Sequence, residues 1–144
     1  MKTLVNKTSK YFYNSSVGIL IIRLVTGFIF ILEGWSKFQN LSGTSHFMVH
    51  LGLPVWMGLF IATLELVGGI ALVLGIFTRI FGVIFGIEML FVVLLTGWAR
   101  GIGSHDLELL LSATSFGIAF LGSGKYACFP MECKKCGAMF CKTC

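Results

Sequence analysis

Carboxylates lie within apolar stretches of this sequence, and Glu65 and Glu88 fall close to the middle of theirs. A charged side chain at the centre of a membrane costs about 2.5–3.5 kcal/mol even on lenient insertion scales. Each carboxylate therefore needs an oppositely charged partner, a proton or a water-filled cavity. These acids are the first candidates for function.

The C-terminal tail is the second candidate, because Cys133-x2-Cys136 is followed after four residues by Cys141-x2-Cys144. Four thiolates at this spacing can form a closed tetrahedral zinc site, and we predict one zinc ion bound by Cys133, Cys136, Cys141 and Cys144. Cys128 leaves an iron–sulfur site open, since Cys128-x4-Cys133-x2-Cys136 has the first three ligand positions of a plant-type cluster. A redox-active dithiol is a third interpretation.

Composition places the chain in a membrane, since 56% of its residues are hydrophobic and only 12% are charged. Four apolar stretches can each cross a hydrocarbon core, at residues 17–37, 54–75, 79–98 and 107–122. The first stretch is too long for a cleavable signal peptide, so we expect it to remain in the mature protein. The fold class predicted is all-α: a polytopic four-helix transmembrane bundle at 17–126, between an N-terminal segment (1–16) and a Cys-rich tail (127–144).

Basic residues predict the orientation of this bundle. Eight lysines and arginines flank the ends that would face the cytoplasm, whereas the other side has only Lys37 and Arg100. By the positive-inside rule both termini are cytoplasmic in a cell-membrane protein, and there the thiols of the tail stay reduced. The net charge of +5 suits an anionic lipid surface and requires no nucleic acid.

Small residues mark the faces along which these helices would pack. In the third stretch Gly82 and Gly86 form a GxxxG face, yet Glu88 lies about 120° away from Gly82 around the helix. Two interpretations follow. Either the glycine face is free to dock a second copy or another membrane subunit, or the glycines only relieve crowding within the bundle.

Depth along the helices suggests how the charged residues pair. Arg23 can reach the level of Glu65 and Glu88, so we predict that these three share one intramembrane polar site, with Glu33, Lys37 and Glu108 nearer its outer mouth. One interpretation is mutual neutralisation that fixes helix register. The other is a pocket for a headgroup or a path for protons.

The sequence also resembles a known family. The segments that carry the resemblance are Arg23-Leu-Val-Thr-Gly27, Glu33-Gly-Trp-Ser-Lys37-Phe38, Glu65-Leu-Val-Gly-Gly69 and Gly75-Ile-Phe-Thr-Arg79. They are similar to the DoxX family of small four-helix membrane proteins, over about residues 17–126. The resemblance implies a subunit of a quinone-linked oxidoreductase, acting on sulfur compounds or thiols if it is itself an enzyme. The alternative is a non-catalytic accessory or assembly subunit, docked through the Gly82/Gly86 face and the metal-binding tail.

Overall fold

The computed structural model describes residues 15–100, 106–124 and 126–128. Within these ranges the chain is all-helical and contains no strand. It forms five α-helices, which are α1 (Ser15–Gln39), α2 (Leu41–His50), α3 (Trp56–Leu74), α4 (Thr78–Arg100) and α5 (Asp106–Leu121).

Three of these helices are long and apolar enough to cross a membrane: α1, α3 and α4. They coincide with the first three stretches predicted from the sequence, and most of their large apolar side chains face outward, as contact with lipid requires. The fourth stretch forms α5, which at 16 residues is shorter. The class of membrane-embedded helical protein is confirmed.

Helix α2, which contains His46 and His50, lies between the first two apolar stretches, where the sequence predicted no helix. Asn40 caps this helix, because its side-chain Oδ1 accepts a hydrogen bond from the Gly43 backbone N–H at 3.2 Å. Both histidines are exposed, while Met48 is buried on the opposite side. The segment between α1 and α3 is therefore an ordered helix with an inward face.

Helix α1 packs chiefly against α3 through glycines on both partners. A Cβ atom placed on Gly27 would come within 2.9 Å of the Gly69 carbonyl oxygen, and one on Gly34 within 2.7 Å of the Leu66 backbone nitrogen. The two backbones are thus in direct contact, as small residues permit in membrane helices. This contact sets Glu65 against the last turns of α1.

Helix α4 packs chiefly against α5, and the glycine face of α4 forms this contact. A Cβ on Gly82 would meet the Ser115 carbonyl oxygen at 2.8 Å, and one on Gly86 would meet the ring of Phe116 at 2.8 Å. Ser112 also donates its hydroxyl to the Gly86 carbonyl oxygen at 2.9 Å. Of the two interpretations of this face, the structure supports packing within the bundle, because α5 covers the glycines that would otherwise dock another subunit.

An aromatic stack joins the two helix pairs. The rings of Phe30 and Phe85 lie parallel with centroids 3.9 Å apart, and both side chains are fully buried. Leu72 and Ile118 belong to the same buried cluster. Glu33, Lys37 and Glu88 lie on the α2 side of this stack, where they line a cavity together with residues of α2.

Candidate functional site

The Lys37 side chain donates a hydrogen bond to Oε1 of Glu65 and forms an ion pair with it. Glu65 is completely buried, whereas Lys37 is 26% exposed. Lys37 lies in the last turn of α1, where a cation is favoured by the helix dipole. Glu65 therefore has the compensating charge that a carboxylate within a membrane helix needs, and α1 supplies it.

Glu88 differs from Glu65 in having no such bond. Both of its carboxylate oxygens are buried without a hydrogen-bond partner among the described residues, and so is Oε2 of Glu65. Lys37 and Glu65 are close enough to Glu88 to act on it electrostatically. A buried polar atom left unpaired costs free energy, which makes this carboxylate the part of the site most in need of a ligand, a water or a proton.

A cavity of about 390 Å³ lies next to these residues, and all five helices contribute to its lining. Its polar part includes Glu33, Lys37, Glu88 and Glu108. Its apolar part includes Phe47, Met48, Ile61, Met89, Val92 and Leu111. The structure thus brings together Glu33, Lys37, Glu88 and Glu108 around one space, with Glu65 attached through its bond to Lys37.

Arg23 is the exception among the predicted site residues. Its Nη1 donates to the Ser123 carbonyl oxygen at 2.5 Å and its Nη2 to the Tyr126 carbonyl oxygen at 3.0 Å. The guanidinium also packs against Gly75, which is ten residues, or about 15 Å of helix rise, beyond Glu65. The predicted pairing of Arg23 with Glu65 and Glu88 is therefore wrong, because backbone carbonyls after α5 bind the guanidinium instead.

Sequence reasoning missed the contribution of α2 to the site. Asn40, Gly43, Thr44, Phe47 and Met48 all line the cavity. The Thr44 hydroxyl also donates to the carbonyl oxygens of Lys37 and Asn40, which ties α2 to the end of α1. An asparagine N-cap followed by residues of ordinary helix propensity was the available signal.

The predicted metal site lies outside the described residues, since Cys133, Cys136, Cys141 and Cys144 all follow residue 128. Cys128 is a free, exposed thiol, and its backbone N–H donates to the Leu74 carbonyl oxygen at 3.1 Å. Between residues 15 and 128, leaving out 101–105 and 125, no group of three or more His, Cys, Asp or Glu residues is arranged to hold a metal ion. The hydrogen bond from Cys128 to Leu74 holds the start of the tail against the end of α3.

Taken together, lipid-facing helices around a buried cluster of acids define a polytopic membrane protein with an internal polar site. The chain belongs to the DoxX family, whose family model matches residues 18–98. The predicted family resemblance is confirmed.

Curated relatives agree with this assignment. The chain is 37% identical over 119 residues to a Bacillus subtilis (strain 168) protein named "Putative oxidoreductase CatD", a match that spans 82% of this chain and 89% of that protein. It is 36% identical over 63 residues to inner membrane protein YqjF of Escherichia coli (strain K12), covering 44% of this chain and 48% of the relative. Inner membrane protein YphA of the same organism is 36% identical over 69 residues, covering 46% and 49%. No solved structure matches the chain.

Proposed function

We propose that this protein is an integral membrane subunit of a quinone-linked oxidoreductase, and that the cavity beside Lys37, Glu65 and Glu88 holds the quinone headgroup. The observation that carries the proposal is the pair of unpartnered Glu88 oxygens at a cavity within a membrane-embedded bundle. Similarity to a relative named as an oxidoreductase supports the class of reaction. Further membrane subunits or a second copy of the chain complete the complex.

The residues present suit a quinone. A space of about 390 Å³ falls within the range of about 300–1,000 Å³ that is usual for small-ligand sites. One part of the lining carries the Lys37 ammonium and carboxylates, and the rest is apolar or aromatic. A quinone has an aromatic headgroup with polar oxygens and an apolar tail, so it requires a site with both a polar and an apolar part.

Each charged residue has a distinct part in this site. A bound quinone would supply a carrier of two electrons and two protons. Glu88 exchanges a proton at its carboxylate, because that group has no other bond among the described residues. Lys37 offers the N–H groups that Glu65 does not use, and Glu65 holds the ammonium in place. The apolar lining keeps bulk water away from the reacting oxygens.

The proposal predicts that Glu88→Gln lowers thiol-dependent quinone reduction in membranes by about 100-fold per folded molecule, since a positioned acid–base group typically contributes about 10²–10⁴-fold. The amide keeps the shape of the side chain and removes the exchangeable proton. Thr63→Val is the control, because Thr63 is exposed on α3 and bonds only locally to the Leu59 carbonyl oxygen. If Glu88→Gln is folded and its turnover is unchanged, then Glu88 has only a structural role and the proposal is contradicted.

Orientation in the membrane is part of the proposal. We take α5 as a fourth span, so that the chain crosses the membrane four times and both termini are cytoplasmic. The eight-to-two distribution of basic residues supports this orientation. The site then opens toward the outer side, where α2 lies.

The tail is proposed to bind zinc on the cytoplasmic side. Support comes from the two CxxC pairs in the sequence and from the reducing conditions in that compartment. Its ligands are Cys133, Cys136, Cys141 and Cys144, with an iron–sulfur cluster as the alternative. The site would give a cytoplasmic partner a rigid contact.

We predict one zinc ion per chain in the purified protein, and a loss of more than half of it in Cys136→Ser. In intact cells a membrane-impermeant thiol reagent should modify His46→Cys and leave the tail unmodified. The control is Cys128→Ser, which should retain the zinc. If the protein contains iron with visible charge-transfer absorption, the tail binds an iron–sulfur cluster and not zinc. If the reagent labels the tail in intact cells, the proposed topology is wrong.

A further inference from the structure

We infer that the cavity binds the reduced, hydroxyl-bearing form of the headgroup more tightly than the oxidised, carbonyl-bearing form. The inference rests on the proposed function and adds which redox form of the substrate the site selects. It follows from counting hydrogen-bond donors and acceptors around the cavity.

Acceptors without partners dominate the buried part of the site. Both oxygens of Glu88 and Oε2 of Glu65 are buried and make no hydrogen bond within the described part of the chain. A carboxylate is an acceptor at both oxygens when ionised, and even when protonated it offers a single O–H donor. A single proton on Glu88 therefore still leaves unsatisfied acceptors beside the cavity.

Donors at the cavity are fewer than its carboxylate oxygens, because Lys37 keeps two N–H groups after its bond to Glu65 and the other described donors are bonded or exposed. Lys37 gives one N–H to Glu65, and the Thr44 hydroxyl donates to the carbonyl oxygens of Lys37 and Asn40. The Gly43 N–H is bonded to the Asn40 side chain. Asn40 also lines the cavity, but it is an exposed residue whose side-chain amide can bond to water.

The buried part of the site has more hydrogen-bond acceptors than donors. A hydroxyl-bearing ligand supplies donors to these acceptors, whereas a carbonyl-bearing ligand adds further acceptors. A hydroxyl of a hydroquinone can donate to an oxygen of Glu88, which lines the cavity, and hydrogen bonds to charged groups are stronger than neutral ones. The carbonyl oxygens of a quinone can accept only from Lys37 or from a single proton on Glu88, and they leave the other carboxylate oxygens without a donor. A site that is built to bond a hydroxyl discriminates strongly against an analogue without one.

This preference favours reduction of the bound carrier. A tenfold tighter binding of the reduced form raises the two-electron potential of the bound couple by about 30 mV. The overall reaction balances if two thiols form one disulfide and their two electrons and two protons convert the quinone to hydroquinone. The site would thus assist a thiol-oxidising subunit by making its electron acceptor more oxidising.

The test is anaerobic equilibrium binding of decylubiquinol and decylubiquinone to the purified protein in detergent. We expect the quinol to bind at least tenfold more tightly, with the difference reduced to about twofold in Glu88→Met, which keeps the length of the side chain and removes both acceptors. Thr63→Val should keep the full preference. Equal or tighter binding of the quinone by the unmodified protein would overturn the inference and leave the proposed function standing, while failure of both ligands to bind would overturn both.

A second measurement avoids redox chemistry and needs no variant. The unmodified protein should bind 5-pentylresorcinol at least tenfold more tightly than its bis-methyl ether, because the two share an apolar surface and differ in their two hydroxyl donors. Equal binding of the two compounds would contradict the inference even if Glu88→Met fails to fold.

Discussion

Lys37→Met should destabilise the protein by about 3–5 kcal/mol, the usual cost of removing one partner from a buried ion pair. The reason is that Glu65 is fully buried and Lys37 is its bonded cation. The reverse change, Glu65→Leu, should cost less, because Lys37 is 26% exposed and its long side chain can turn toward the polar interface. Unfolding midpoints in detergent, measured at increasing denaturant, check both values.

The double variant Lys37→Met/Glu65→Leu separates the ion pair from general packing. It should be more stable than Lys37→Met alone, because no uncompensated carboxylate remains. Ser36→Met is the matched control, since Ser36 is exposed one residue earlier in the same turn of α1, and it should change stability by less than about 0.5 kcal/mol. Equal losses in Lys37→Met and Ser36→Met would contradict the role of the ion pair.

The burial of the acids could be predicted from the sequence, but the partner of each could not. A carboxylate within an apolar run must be compensated whatever the fold. Glu65 is fully buried, and so are the two carboxylate oxygens of Glu88. The pairing depends on which helices touch and at what level. Gly27 and Gly34 allow α1 to approach α3 closely. This contact places Lys37, and not Arg23, beside Glu65.

The partners of Arg23 could not be predicted from the pattern of side chains in the sequence. Its partners are the carbonyl oxygens of Ser123 and Tyr126, which are backbone groups left unbonded where α5 ends. Every residue carries such an acceptor, so nothing in the sequence marks these two. Helix α2 was missed for a related reason, because its inward face is apparent only once the cavity beneath it is seen.

The glycines of the bundle had two interpretations on sequence grounds, and the structure selects packing within the chain. Gly82 and Gly86 contact α5, while Gly27, Gly34 and Gly69 lie between α1 and α3. The cavity lies where these two close pairs meet α2. The close approach of α1 to α3 is consequently a condition for the geometry of the site.

Gly34→Val should destabilise the bundle by about 3 kcal/mol, at the upper end for overpacking. A Cβ at this position would lie 2.7 Å from the Leu66 backbone nitrogen and 3.0 Å from the Ala62 carbonyl oxygen. Because both atoms belong to the backbone of α3, neither can move aside as a side chain would. The helices must separate beside Glu65, which weakens the Lys37–Glu65 ion pair and should also reduce quinol binding.

The matched control is Gly117→Val on α5, where a Cβ would meet no atom within 4 Å. It should leave stability within about 0.5 kcal/mol, since glycine itself is a poor helix former and valine is no worse. Unfolding in detergent gives the two stabilities, and quinol titration gives the binding loss. If Gly34→Val is as stable as Gly117→Val and binds quinol normally, then α1 and α3 are not held in the close contact on which Lys37 and Glu65 depend.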